Sequence, residues 1–274
     1  MHPMLNIAIR AARAGGAIIA RQVDRVDTLS VSEKSRNDFV SDVDRQAERV
    51  IVDTITRSYP GHAILAEEGG ATGESDFLWI IDPLDGTTNF LHGFPHFAVS
   101  VALKVRGRLD QAVIFDPLRQ ELFTASRGAG AQLDGKRIRV TRRAGLAGAL
   151  LGTGFPFREI ANLDAYLQTF AALVPRTAGV RRAGSAALDL AYVAAGRLDG
   201  FWEFGLAPWD VAAGALLVQE AGGLMSDALG TEAYLDSGDV VAASPRVHRE
   251  MLPLLRRAAL RIQSQRLSPA HPGG

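Results

Sequence analysis

Two aspartates, Asp82 and Asp85, stand where the apolar run Trp79-Ile80-Ile81 meets Pro83 and Gly86 in the segment WIIDPLDGTTNF. The run suits a short strand buried on both faces, and Pro83, with no N–H to give to a ladder, is expected to end it. Thr87 and Thr88 can then cap a short helix whose free N–H groups face an anion. Carboxylates beside an anion site need a cation between them, and an oxygen-only ligand set suits Mg²⁺, which keeps water and substrate phosphate in its shell. Asp-Pro and Asp-Gly also punctuate turns for local reasons, so this pair alone leaves the choice open. Two further acidic positions bear on it. Glu67 and Glu68 close the apolar run of ILAEEGG, and Asp210 opens a helix in PWDVAAGALLVQEAGG. Asp210 could serve as an N-cap and Glu67 and Glu68 as a solvated loop pair. Three acidic clusters at element ends, from separate parts of the chain, are nevertheless what a binuclear metal cage requires.

Other chemistries find little support. The chain has no cysteine, which excludes disulfides, thiolate metal sites and cysteine nucleophiles. Its six histidines are scattered without a zinc-ligand spacing. No G-x-S-x-G elbow appears, and the glycine pairs Gly15-Gly16, Gly69-Gly70 and Gly222-Gly223 form neither a dinucleotide fingerprint nor a P-loop. Thirty basic and thirty acidic residues give a formal net charge of zero, so there is no direct nucleic-acid signal and no global field for an anionic membrane. Arg10, Arg13, Arg21 and Arg25 interrupt the first apolar stretch, and no apolar run approaches a membrane span, so a soluble cytoplasmic protein is expected.

The elements that must carry these residues follow from periodicity. Leu5, Ala8, Ile9, Ala12, Ile19 and Val23 predict an amphipathic helix over about Pro3 to Val23. Asp42 can cap a second, with Val43, Ala47, Val50, Ile51 and Ile55 on one stripe. The polar stretch Thr28 to Val40 reads as a mobile loop. Short runs between Phe97 and Leu133 (AVSVALKV, QAVIFD, ELFTA) predict an antiparallel meander. Beyond about Arg143, strands over Leu150–Thr153, Phe201–Phe204 and Val240–Ala243 alternate with helices over Leu163–Val174, Ser185–Ala195, Asp210–Ala221 and a last helix to about Ile262. The expected organisation is an N-terminal α+β lobe over 1–145 carrying the metal site and a C-terminal α/β lobe over 146–263 completing it. Residues 264–274 (SQRLSPAHPGG) form a disordered tail in this reading.

DPLDGTTNF, WDVAAG and the upstream Glu67-Glu68 pair resemble the motif set of the inositol monophosphatase family of Mg²⁺-dependent, lithium-sensitive phosphatases. The similarity continues through MHPMLNIAIRAARAGG, LGTGFPF and RRAGSAALDLAYVAAGRLDGFWEFGLAPWDVAAG, from near the first residue to about Arg257, and is close to the bacterial SuhB-type branch. It implies a mixed α/β fold of layered αβαβα architecture, a homodimer and hydrolysis of inositol-1-phosphate. It implies that Glu67, Asp82 and the main-chain carbonyl of Leu84 hold one Mg²⁺. Asp82, Asp85 and Asp210 hold a second, with Asp82 bridging, and a third sits near Glu67 and Asp44. In the same reading Thr87, assisted by Asp44, positions the attacking water, Glu67 counts among the catalytic residues, and the Gly86 and Thr87 N–H groups receive phosphate. Gly184, Ser185, Ala186 and Asp210 face the substrate, and Glu203, an acid within the apolar FWEF, binds a ring hydroxyl. Lys34 could be a lid charge over the phosphate or a solvated surface lysine. A sugar bisphosphate, histidinol phosphate, a 3′-phosphonucleotide or NADP are alternative substrates. The SuhB-type branch is also associated with RNA polymerase and transcription antitermination, which makes a protein-binding role a second reading.

Overall fold

Leu5, Ala8, Ala12 and Ile19 lie on the buried face of helix α1 (Pro3–Gln22), and Val43, Ala47, Ile51 and Ile55 on that of α2 (Asp42–Ser58). The computed structural model describes residues 2–28, 31–35, 38–156 and 160–267, with side chains outside 26–40 and 265–267. Between the two helices, β1 (Val31–Ser35) and β2 (Asp38–Ser41) pair as an antiparallel hairpin. This corrects the loop expected over Thr28 to Val40. Main-chain N–H and C=O groups satisfy each other across a ladder whatever the polarity of the side chains, and a polar stretch gives no alternation by which to read it. The cap of α2 is also corrected, from Asp42 to Ser41. The Ser41 hydroxyl accepts the Val43 N–H, while Asp44 Oδ2 accepts the Ser41 N–H at 2.9 Å. That reciprocal arrangement is a capping box.

An eight-stranded sheet follows, built from β3 (Ala63–Ala66), β4 (Gly70–Thr72), β5 (Phe77–Asp85), β6 (Ala98–Val105), β7 (Arg108–Asp116), β8 (Glu121–Ser126), β9 (Gly130–Leu133) and β10 (Lys136–Arg137) in the order β10-β9-β8-β7-β6-β5-β3-β4. The meander from β6 to β9 is the one the alternating runs predict. Only β3 and β5 pair in parallel, so their carboxyl ends emerge side by side. Strand β5 does not stop at Pro83. It continues to Asp85 through an irregularity, the register passing from Asp82 opposite Ser100 to Asp85 opposite Ala98. A proline is tolerated where a bulge asks for no ladder N–H, which is why the expected strand end failed.

The five-stranded sheet has the order β12-β11-β13-β15-β14, from β11 (Leu150–Thr153), β12 (Gly179–Arg181), β13 (Gly200–Glu203), β14 (Leu224–Ser226) and β15 (Val240–Ala243), the first three mutually parallel along the chain of pairings. Helices α3 (Thr87–Leu91), α4 (Leu163–Leu173), α5 (Ala186–Ala194), α6 (Pro208–Glu220), α7 (Tyr234–Ser237) and α8 (Pro245–Leu267) complete the element set. The last helix runs beyond the expected end near Ile262 into the segment read as tail. No proline intervenes between Pro253 and Pro269, so nothing in the chain obliges the helix to end near Ile262. Residues 268–274 lie outside the described residues.

Contacts between elements give five layers: α1 and α2, the eight-stranded sheet, α5 and α6, the five-stranded sheet, then α4 and α8. This is the αβαβα architecture expected. The middle layer is apolar nearly all round, with Leu188, Leu190, Ala191 and Val193 of α5 and Val211 to Val218 of α6 buried, as a helix pair between two sheets must be. Gly214 sets how near α5 and α6 approach: a Cβ there would stand 2.5 Å from Leu190 Cβ. Gly214→Val is therefore expected to destabilise the chain by about 1–3 kcal/mol through overpacking, read as a fall in melting temperature.

Candidate metal and phosphate site

The carboxyl ends of β3 and β5 deliver Glu67, Asp82 and Asp85 to the edge of the eight-stranded sheet, and the first turn of α6 delivers Asp210 from the middle layer. Asp82, Asp85 and Asp210 each offer a carboxylate oxygen lying within 4.8 Å of the others. Each is fixed by local chemistry. The Leu84 N–H donates to Asp82 Oδ1 at 2.9 Å across the bulge. The Ser185 hydroxyl and the Ala187 N–H, at 2.8 Å, both donate to Asp85 Oδ2. The Ala207 N–H donates to Asp210 Oδ2 at 2.8 Å, so Asp210 sits third in α6 and turns back on the chain before it. It thus serves as a cap-type acceptor with one oxygen while its carboxylate borders the cluster, and the local and the functional readings coexist.

Burial raises the Asp82 carboxyl well above the usual carboxylate range, and the charges of Glu67, Asp85 and Asp210 add to it. Asp85 is pushed up to about 6, again chiefly by burial, with the Ser185 hydroxyl and the Ala187 amide opposing. Like charges gathered this closely and removed from water call for a compensating cation. The donor set is all oxygen, which fits Mg²⁺ and not a thiolate- or imidazole-seeking metal.

Asp44 stands behind this cluster, buried, with its pKa raised by that burial against hydrogen bonds from Ser41 and Thr87. Thr87 Oγ1 is 2.9 Å from Asp44 Oδ1 and 3.0 Å from the Leu84 carbonyl. The threonine thus leaves its hydroxyl held from two sides. This corrects the expected capping role of Thr87 and Thr88: Gly86, at φ +94°, is the N-cap of α3, and no side chain caps it. A side chain at 86 would be strained at that φ and would also meet the His96 carbonyl at 3.0 Å.

A cavity of about 550 Å³ opens over these groups. Glu67, Asp82, Leu84, Asp85, Gly86 and Thr87 line it from the first half of the chain, and Gly184, Ala186, Glu203 and Asp210 from the second. Ser185 and Asp44 do not line it but bond residues that do. Glu203, at the end of β13, turns into the cavity and not into solvent, where strand alternation alone could have put it. Gly154 makes the room: a Cβ there would fall 1.9 Å from the Glu203 carboxyl carbon. Glu68 faces elsewhere, toward a second cavity beside α2. The Lys34 side chain lies outside the described residues.

Sequence reading missed Asn89, Arg182 and Phe155 here. The Asn89 amide donates to the His96 carbonyl at 2.8 Å and to the Ala183 carbonyl at 2.9 Å, tying the DGTTNF turn to the approach of α5. Arg182 lines the cavity and lies over the Phe155 ring, 5.1 Å from its centroid. Asn89 was inside the quoted motif, yet its role depends on a loop about a hundred residues later in the chain, and no local pattern reveals that.

A layered αβαβα scaffold with an all-oxygen acidic cluster between its sheets is the build of a metal-dependent phosphatase. The chain belongs to the inositol monophosphatase family, whose model matches residues 1–261. It is 60% identical over 262 residues to a Pseudomonas aeruginosa protein called Nus factor SuhB, covering 93% of this chain and 97% of that protein. Among solved structures it is similar to the extragenic suppressor protein SuhB of Bartonella henselae, with TM-score 0.91 and 40% identity over 93% of this chain and 99% of that one. It is also similar to an inositol monophosphatase from Thermotoga maritima, with TM-score 0.87 and 37% identity over 95% of this chain and 100% of that one. Among the described residues no helix is long and apolar enough to cross a membrane.

Proposed function

We propose that the chain is a Mg²⁺-dependent phosphomonoesterase acting on inositol-1-phosphate, inhibited by lithium. The observation that carries the reading is the convergence of Asp82, Asp85 and Asp210 within 4.8 Å in the lining of a cavity that Glu203 also lines. Glu67, Asp82 and the Leu84 carbonyl would hold one ion, Asp82, Asp85 and Asp210 a second, and the neighbourhood of Glu67 and Asp44 a third. Bound there, Mg²⁺ supplies neutralisation of phosphate charge and a lowered pKa for water. The chain's own groups do the rest. Thr87, donating to Asp44, keeps its oxygen lone pairs available to accept a proton from an incoming water. Burial raises the pKa of Asp44 and so makes it the better eventual acceptor. The water oxygen bonds to phosphorus, the ester P–O bond breaks, and the departing alkoxide takes a proton from solvent. Gly86 and Thr87 amides receive the phosphate, Gly184 and Ala186 border the ring with Ser185 held between them on Asp85, and Glu203 accepts from a ring hydroxyl. A cytoplasmic homodimer belongs to the same reading.

Phosphate release from inositol-1-phosphate, a sugar bisphosphate, histidinol phosphate, a 3′-phosphonucleotide and NADP, with and without Mg²⁺, tests this directly. The largest rate is expected for inositol-1-phosphate, and none without the ion; turnover undiminished by chelation would overturn the metal reading. Recognition is tested separately by Glu203→Gln. A site built around a substrate hydroxyl loses a charge-assisted bond of about 1.5–3 kcal/mol only when that hydroxyl is present. The variant should therefore lose more rate on inositol-1-phosphate than on glycerol-2-phosphate, and equal losses would mean that Glu203 supports the cluster or the fold.

A second reading is favoured by the 60% identity to a protein called Nus factor SuhB. In it the chain associates with RNA polymerase during antitermination. Co-purification with RNA polymerase by a variant lacking turnover would separate the two roles, and its absence would leave only the first.

A further inference from the structure

We propose that Glu48 is a positioning residue for the metal cage, setting where the Glu67 carboxylate stands by holding the peptide that follows it. This rests on the reading of Glu67 as a metal ligand given above. Asp44 and Glu48 are four residues apart on α2 and so share one helix face, and both are buried. Asp44 reaches Thr87 beyond the end of β5. Glu48 reaches the other strand end: its Oε2 accepts the Glu68 N–H at 2.8 Å. That amide belongs to the peptide directly after Glu67. The peptide directly before Glu67 is held by its own N–H, which donates to the Ile81 carbonyl of β5 at 3.2 Å. Glu67 is thus pinned on both sides, by the sheet on one and by α2 on the other.

The turn at Gly69-Gly70 supports the same conclusion. A Cβ on Gly69 would stand 2.9 Å from Glu48 Oε1, so the loop passes directly against the Glu48 carboxylate. Glycine here provides clearance, since its φ is not in the left-handed region. The sequence ILAEEGG then reads residue by residue: Glu67 faces the acidic cluster, the amide of Glu68 is the handle, and Gly69 lets Glu48 take hold of it. Partners that orient a metal ligand typically change metal affinity or activity by about 10–100-fold when removed. A merely structural buried carboxylate would lower stability alone.

The test is the Mg²⁺ affinity of the full chain, measured by calorimetric titration and by the rise in melting temperature with Mg²⁺, beside the Mg²⁺ concentration giving half-maximal phosphate release. Glu48→Ala is expected to weaken Mg²⁺ binding by about tenfold or more. Glu48→Gln, which keeps an oxygen for the Glu68 N–H, should stay within about threefold of the parent. Gly69→Ala, which crowds the carboxylate off the amide without touching Glu48, should shift affinity in the same direction as Glu48→Ala and serves if that variant does not fold. Ile55→Val loosens α2 through its core and is the control for stability. If Glu48→Ala and Gly69→Ala melt earlier but bind Mg²⁺ as tightly as the parent, as Ile55→Val should, the proposal is overturned. If Glu67→Gln weakens Mg²⁺ binding while Glu48→Ala does not, the positioning role alone falls. A parent chain with no Mg²⁺ response overturns the metal reading and this proposal together.

Discussion

Asp82→Asn is expected to reduce phosphate release by more than a hundredfold, about 2.7 kcal/mol of barrier, while the folded structure persists. Asp82 is the carboxylate on which the cluster converges: it is almost fully buried, and the charges of Glu67, Asp85 and Asp210 all bear on it. An amide in its place keeps the shape and the acceptor for the Leu84 N–H but removes the charge a bridging ligand needs. The same change should leave the metal-free protein as stable as the parent or more so, because it relieves repulsion among like groups in a dry site. Rate and melting temperature in EDTA, measured on the same preparation, check both halves. A variant within about tenfold of the parent rate would remove Asp82 from the bridging position.

Chelation should have the next largest effect, and it should depend on pH with a definite sign. Asp85 is held at about 6 in the folded chain against an ordinary value of 3.8, and burial raises Asp82 well above that ordinary value too. The folded state therefore binds protons that the unfolded state has released, so the stability these groups contribute is full below about pH 4 and is lost as pH rises through 6 and beyond. His96, lowered to about 4 by burial, and His248, lowered in the same way, pull in the opposite sense up to about pH 6.5. The clean measurement is a difference. In EDTA the melting temperature of the parent minus that of Asp82→Asn should become more negative from about pH 5 to pH 7.5. The rise produced by Mg²⁺ should grow over the same interval, because fewer protons compete for the carboxylates. A difference that is flat with pH would mean that Asp82 is not held protonated in the folded chain.

Much of this arrangement could be read from residues one at a time. The meander from β6 to β9 showed itself by alternation, α1 and α2 by their apolar stripes, and the acids by their places at the ends of apolar runs. What could not be read was whatever depends on a partner far along the chain. Pro83 looked like a strand end because its missing N–H is a local fact, whereas the bulge that excuses it is a property of the pairing with β6. Ser41 took the cap from Asp42 because Asp44 completes a reciprocal pair with it, a choice made by geometry between two neighbours of similar propensity. Thr87 was legible as a polar residue at a helix start, but that its hydroxyl meets Asp44 as well as the Leu84 carbonyl is set by α2. The hairpin of β1 and β2 was illegible for a different reason: its stabilisation lies in main-chain pairing, which leaves no signature in a polar sequence.

The reach of the Asp85 contacts has a consequence for synthesis. The eight-stranded sheet is encoded entirely by residues up to Arg137, so its strands can pair while the second half is still being made. Asp85, however, finds its donors only when Ser185 and Ala187 arrive, and the cluster lacks Asp210 until α6 has formed. An emerging N-terminal half thus carries Asp82 held only by the Leu84 N–H and Asp85 without its later donors, and chains assemble from the N-terminus at about 5–20 residues per second. If the cluster holds Mg²⁺ as proposed, ion capture waits for the second half of the chain, and a truncated product holding every residue of the DGTTNF turn is expected to be inert.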